Sequence, residues 1–256
     1  MNYTPFLILL VFLVLCIYLI FRKKKLQIET LSKNELDILS KHVDFYKSLD
    51  REQKLLFGEK VVEFLATVKI EGVGVSIMPI DRMLVAASAI IPIFGFGDWK
   101  YKNLTNVILY PDTFNENFQF TGDHRNIMGM VGSGFMNGQM VLSQSALHNG
   151  FSNKTGKENT GIHEFVHLLD KSDGATDGVP ENLMKHSYTL PWINMMHQEM
   201  KEIKSDKSDI NPYALTNQAE FFAVVSEYFF EQPQLLKNRH PELYERLTTI
   251  FQQNPV

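Results

Sequence analysis

Apolar positions follow three kinds of pattern along the chain. The first is an unbroken run, Pro5 to Phe21 (PFLILLVFLVLCIYLIF), with no charge and only Tyr18 as a mildly polar residue. As a helix it extends about 26 Å, close to the hydrocarbon thickness of a bilayer. Arg22-Lys23-Lys24-Lys25 follows at once. A secretory signal would carry its charge before the apolar run and end in small residues. A lipoprotein site would want a small residue where Leu15 precedes Cys16. Positive flanks stay on the cytoplasmic side. The pattern predicts one transmembrane helix with its basic flank over residues 1–25, giving a single-pass membrane protein whose body, residues 26–256, is cytoplasmic.

The second pattern is helical. Asn34 to Asp50 and Arg51 to Ile70 repeat apolar residues at helical spacing, the latter through Leu55, Val62, Phe64, Leu65 and Val68. Asp81 to Ile91 (DRMLVAASAII) is apolar almost all round and is expected to be buried. Further helices are predicted near Asn159 to Asp170, Leu190 to Ile203, Asn217 to Glu231 and Pro241 to Gln253.

The third pattern is short strands. Val107 to Tyr110 (VILY) ends at Pro111-Asp112. The glycine-studded stretch Gly129 to Gly138 leads into Gln139 to Ser143, and Asn137-Gly138 suits a type I′ hairpin turn. No Lys-Ser/Thr follows those glycines, so they form no phosphate-binding loop. Helices outnumber strands. The fold expected is α+β, mainly helical with a small mixed β-sheet, preceded by the transmembrane helix.

Composition narrows the chemistry. A hydrophobic content of 45% with 21% charged residues is that of a globular chain. The single cysteine, Cys16, excludes a disulfide framework and a cysteine-based zinc site. Without the four cations of the flank, 21 basic residues face 29 acidic ones, which gives the body no electrostatic reason to bind nucleic acid.

Within the helix Gly161 to Asp170 the chain reads GIHEFVHLLD, an H-E-x-x-H sequence. Residues four apart share a helix face, so His163 and His167 can present imidazole nitrogens to one metal ion. Glu164 then points at the open metal position, where its carboxylate can take a proton from a water. A catalytic zinc needs a third protein ligand. Glu220 sits in the first turn of an apolar helix, where a carboxylate is costly to bury without a cation. Glu227, two turns further along that face, is an alternative ligand or an acceptor for a ligand imidazole. Asp170 shares the face of both histidines and could play the same supporting part. The histidines at 42, 124, 148, 186, 197 and 240 show no ligand spacing and read as surface or capping residues.

HEFVHLLD, then DGATDGVP, then NPYALTNQAEFFAVVSEYFFEQP resembles the Mlc titration factor family of bacterial zinc peptidases, as does VILYPDTF. The likeness runs from about Asn34 to Pro255. It implies a zincin-like fold with Zn²⁺ held by His163, His167 and Glu220, and Glu164 as general base. Tyr213, in Pro212-Tyr213-Ala214, matches a family tyrosine that can help hold an oxyanion. Gly161 departs from the family's usual β-branched residue, which should loosen the start of the helix without touching a ligand.

These readings converge on a zinc-dependent metallopeptidase acting on peptide or protein substrates, with aminopeptidase and endopeptidase both open. Gln139 to Ser143 is expected to offer an edge for an extended peptide. The alternative is a membrane-tethered, zinc-containing binding module that sequesters a regulatory protein such as a transcriptional repressor. Retention of Glu164, which a binding site has no use for, favours the enzyme.

Overall fold

The computed structural model describes residues 30–256, apart from residues 153–155 and 185. Ser32 and Glu35 exchange side-chain and backbone hydrogen bonds, and this reciprocal cap starts α1 (Lys33–His42). Helices α2 (Asp44–Ser48) and α3 (Arg51–Thr67) follow, α3 opened by the same device between Asp50 and Gln53. After β1 (Lys69–Gly72) comes α4 (Pro79–Ile93), buried at every position from Met83 to Ile93, as its all-round apolar sequence predicts. Strands β2 (Asn106–Tyr110), β3 (Gly129–Val131) and β4 (Gln139–Ser143) complete a sheet of order β1-β2-β4-β3. The first three in that order are parallel and β3 is antiparallel, so the sheet is small and mixed. Helices α5 (Gln144–Gly150), α6 (Thr160–Asp170), α7 (His186–Lys204), α8 (Gln218–Glu231), α9 (Pro233–Arg239) and α10 (Pro241–Phe251) make up the rest.

Period-two alternation decides what each sheet face covers. Val107 and Leu109 are fully buried against the helices, where α4, α6 and α8 meet. Ile108 and Tyr110 face the other way, into a small cluster with Phe114 and Val141. Helix α6 lies close against α4 because Gly161 has no side chain. A Cβ there would fall 2.2 Å from Ser88 Oγ and 3.0 Å from Leu147 Cδ1. The glycine that was expected to loosen the start of this helix therefore seats it.

Two strand expectations change. Asn137 has φ −56° and ψ 132° before Gly138 at φ 88°, which is type II geometry, not type I′. The 3₁₀ turn Gly134–Met136 immediately before it sets that direction. Strand β4 lies between β2 and β3, so Gln139 to Ser143 offers no edge; the edge strands are β1 and β3.

The expected transmembrane helix needs the larger correction. The segment Pro5 to Phe21 lies outside the described residues. Among the described residues, no helix is long and apolar enough to cross a membrane. The longest, α7, carries Glu199, Lys201, Glu202 and Lys204, and α4, the helix buried along most of its length, has 15 residues. That many residues rise about 22 Å, short of the roughly 30 Å needed. The membrane-spanning part of the fold and the single-pass localisation are withdrawn.

Candidate metal centre

Asn159 caps α6 by accepting the Ile162 N–H on its side-chain oxygen. Its own N–H donates to Glu227 Oε2 at 2.5 Å and its Nδ2 to Glu231 Oε1 at 2.7 Å. Helix α8 thus grips the start of α6 before either presents a ligand. Burial pushes the Glu231 carboxyl up to about 7, against the Asn159 hydrogen bond, with Asp44 and Glu227 adding to the rise. The folded protein then binds more protons than the unfolded one between 4.5, the ordinary value, and about 7. Stability should fall as pH rises through that window, by up to about 3 kcal/mol. Glu231→Gln keeps the acceptor for Asn159, and should flatten the slope and raise stability above pH 7. Urea unfolding at pH 5 and pH 8 checks this; an unchanged slope would rule it out.

One turn into α6, His163 Nδ1 lies 2.7 Å from Glu227 Oε1. That carboxylate holds the proton on Nδ1 and turns the Nε2 lone pair inward. Nε2 of His163 is 3.0 Å from Glu220 Oε2 and 3.1 Å from His167 Nε2, and His167 Nε2 is 3.5 Å from the same carboxylate oxygen. His163, His167 and Glu220 form a metal-capable group, each offering one ligand atom. Ligands about 2.0–2.1 Å from a tetrahedral zinc stand about 3.3 Å from one another, so the observed separations fit that ion. Both imidazoles turn Nε2 towards one carboxylate oxygen, a nitrogen-and-oxygen donor set of the kind zinc takes. Burial alone would lower the His163 pKa, but Glu227 and Glu220 overcome it and raise it well above the ordinary value. Burial would raise Glu220, and the two imidazoles instead hold it down at about 2.

Glu164 is 6% exposed and takes no part in the donor set. Burial raises its carboxyl, with His163 and His167 opposing. Gly129 of β3 lies directly against it: a Cβ there would meet Glu164 Cγ at 2.5 Å and Oε1 at 2.7 Å. Tyr213 is 53% exposed, in the 3₁₀ turn Pro212–Leu215, its ring 6.1 Å from that of His163. Burial and then the charges of Glu220, Glu164 and Glu227 raise its hydroxyl pKa. All five residues expected from the sequence are thus gathered at one place. Cavities of about 540 and 760 Å³ open on either flank, both bordered by Gly129, His163, Glu164 and Tyr213.

The supporting carboxylates separate. Glu227 holds His163, whereas Asp170 Oδ2 accepts the Gly178 N–H at 2.8 Å. Asp170 is fully buried, and burial pushes it up to about 6 despite that hydrogen bond. Gly178 leaves no room for a side chain beside Gln218 O, and its carbonyl accepts from Trp192 Nε1 at 2.7 Å. The loop after α6 is thereby locked to α7 and α8. Two of the remaining histidines pair with carboxylates. His148 Nε2 pairs with fully buried Asp81 at 2.6 Å, and His240 meets Asp209.

A sequence model of the family described as glucose-regulated metallo-peptidase M90 matches residues 19–252. Similar proteins include the uncharacterized protein slr2042 of Synechocystis sp., 28% identical over 251 residues, 93% of this chain and 90% of that one. Mlc titration factor A of Yersinia enterocolitica is 29% identical over 195 residues, 72% of each chain. Mlc titration factor A of Serratia proteamaculans is 26% identical over 221 residues, 81% of this chain and 82% of that one. The resemblance carried by the motif blocks therefore stands.

Proposed function

We propose that this chain, which belongs to the glucose-regulated metallo-peptidase M90 family, is a zinc-dependent peptidase with residues 26–256 as its catalytic unit. The observation that carries the reading is the meeting of His163, His167 and Glu220 beside a buried carboxylate, Glu164, that the donor set does not need. Those three residues would hold Zn²⁺, which when bound polarises a carbonyl and acidifies water towards neutrality. Glu164 takes a proton from the attacking water and hands it to the leaving amine. Glu227 keeps His163 in the tautomer that faces the centre. The Tyr213 hydroxyl donates to the substrate oxygen as negative charge gathers there.

Strand β3 supplies the rail. Met128 O and Gly132 N pair with β4, so the N–H and C=O of Gly129 and Val131 turn outward along the cleft. An extended peptide can add there as a further strand. Gly129→Ala would push a methyl group into Glu164, and hydrolysis should drop by about 10²-fold with zinc content unchanged. Full activity in that variant would remove the glycine from the account.

The similarity to Mlc titration factor A supports a second reading of this chain, the holding of a regulator. The deciding experiment is zinc analysis of the purified full chain with digestion of a mixed peptide pool, before and after chelation. About one zinc per chain is expected, with cleavage lost to chelator and restored by zinc. Metal-loaded protein that leaves the whole pool intact would leave only the binding reading.

A further inference from the structure

Asp209 lies outside the metal centre, in the loop ahead of the turn that carries Tyr213, yet three distant parts of the chain donate to it. Lys157 Nζ reaches its Oδ2 at 2.7 Å and its main-chain oxygen at 2.5 Å. Tyr228 of α8 donates its hydroxyl to the same Oδ2 at 2.9 Å, and His240 Nε2 meets Oδ1 at 2.8 Å. Lys157 also sits 4.2 Å over the Tyr228 ring, and His240 Nδ1 faces Glu199 of α7 at 3.1 Å. Burial would raise the Asp209 carboxyl, but these donors hold it far below the usual carboxylate range. A carboxylate shared among charged and neutral donors is a strong hub.

The tie is repeated two residues on. Asn211 Nδ2 donates to Glu158 Oε1 at 2.6 Å, while Asn211 Oδ1 accepts the Tyr213 N–H at 2.9 Å and Asn211 O the Ala214 N–H at 3.0 Å. The loop entering α6 and the loop entering the Tyr213 turn are thus laced by two successive pairs, Lys157–Asp209 and Glu158–Asn211. Tyr213 itself is half exposed. Its place over the centre depends on the backbone of its turn, since its own side chain is not enclosed.

We infer that Asp209 is a positioning residue: through Lys157 and the Asn211 turn it sets where Tyr213 stands relative to His163 and Glu164. Its kinetic consequence rests on the oxyanion role proposed above for Tyr213; its structural consequence does not. Asparagine at 209 cannot accept from Lys157, Tyr228 and His240 together, so the lacing should loosen without a change in side-chain size.

The test uses the zinc-loaded full chain and a pool of internally quenched peptides, with hydrogen exchange followed over residues 209–216. Asp209→Asn should speed exchange of the Tyr213, Ala214 and Thr216 amides. It should also lower kcat about tenfold, since small misplacements of a reacting group cost that much or more, while zinc content and KM hold. Asp209→Asn with Tyr213→Phe should be no slower than Tyr213→Phe alone. Lys157→Met, which cuts the same tie from the other side, should reproduce both effects if Asp209→Asn fails to fold. Unchanged exchange in the folded variants would overturn the inference, and so would multiplying kcat losses in the double variant. A Tyr213→Phe variant with full kcat would instead remove the oxyanion role, leaving exchange to decide the positioning.

Discussion

Glu164→Gln should keep its zinc, keep its fold and lose hydrolysis by about 10³-fold, within the range that a positioned general base contributes. The isolation of this effect follows from where the side chain sits. Glu164 is adjacent to His163 in the chain but is absent from the converging donor set, so metal retention has no reason to change. It is 6% exposed, and burial raises its carboxyl, which means that the ionised form is held at a cost. A neutral amide of the same shape removes that cost, so the thermal midpoint should stay or rise. Zinc content, midpoint and kcat on quenched peptides settle it together. A variant that holds zinc and keeps activity within about threefold contradicts a base contribution of this size.

What the sequence made legible here was local. His163, Glu164 and His167 are fixed by helical spacing within five residues, and Glu220 stands out because a carboxylate in an apolar helix demands a reason. The buried character of α4 followed from composition alone. Pairings across long separations were not legible. Glu227 and Asp170 were equal candidates to steady an imidazole until the fold set Glu227 against His163, 64 residues away in the chain. Gly129 was only the first glycine of a glycine-studded stretch, yet its missing Cβ is what lets β3 lie against Glu164. Strand order has no local signature either, so an edge was expected at β4, which lies inside the sheet between β2 and β3. Asn137-Gly138 fits two turn types, and the preceding 3₁₀ turn selects between them. Asp209 and Lys157 carry no local sign of their roles, because each finds its partners only when two loops meet. The apolar N-terminal run misled in another way: it gave a clear reading of a segment outside the described residues, and no described helix can cross a membrane.

Glu220→Gln should weaken zinc retention by about 10²- to 10³-fold, the scale of removing one partner from a buried ionic contact. Glu220 Oε2 faces both imidazole nitrogens at 3.0 and 3.5 Å, and those imidazoles already hold it ionised against its burial. The amide keeps the shape but brings no charge to oppose a dication, and Asn217 would still accept the residue 220 N–H as it does now. Glu227→Gln provides the contrast. Its carboxylate acts on the far nitrogen of His163, so the loss should be about 10- to 100-fold. At neutral pH both variants should lower the thermal midpoint of the metal-free chain: Glu220→Gln loses the ionised carboxylate that the two imidazoles favour, and Glu227→Gln also weakens the hold on the Asn159 N–H. Thermal unfolding of both metal-free variants checks the midpoints, and competition with a chromophoric zinc chelator separates the two carboxylates. If Glu227→Gln releases zinc more readily than Glu220→Gln, the third ligand is Glu227, and the proposed role of Glu220 is wrong.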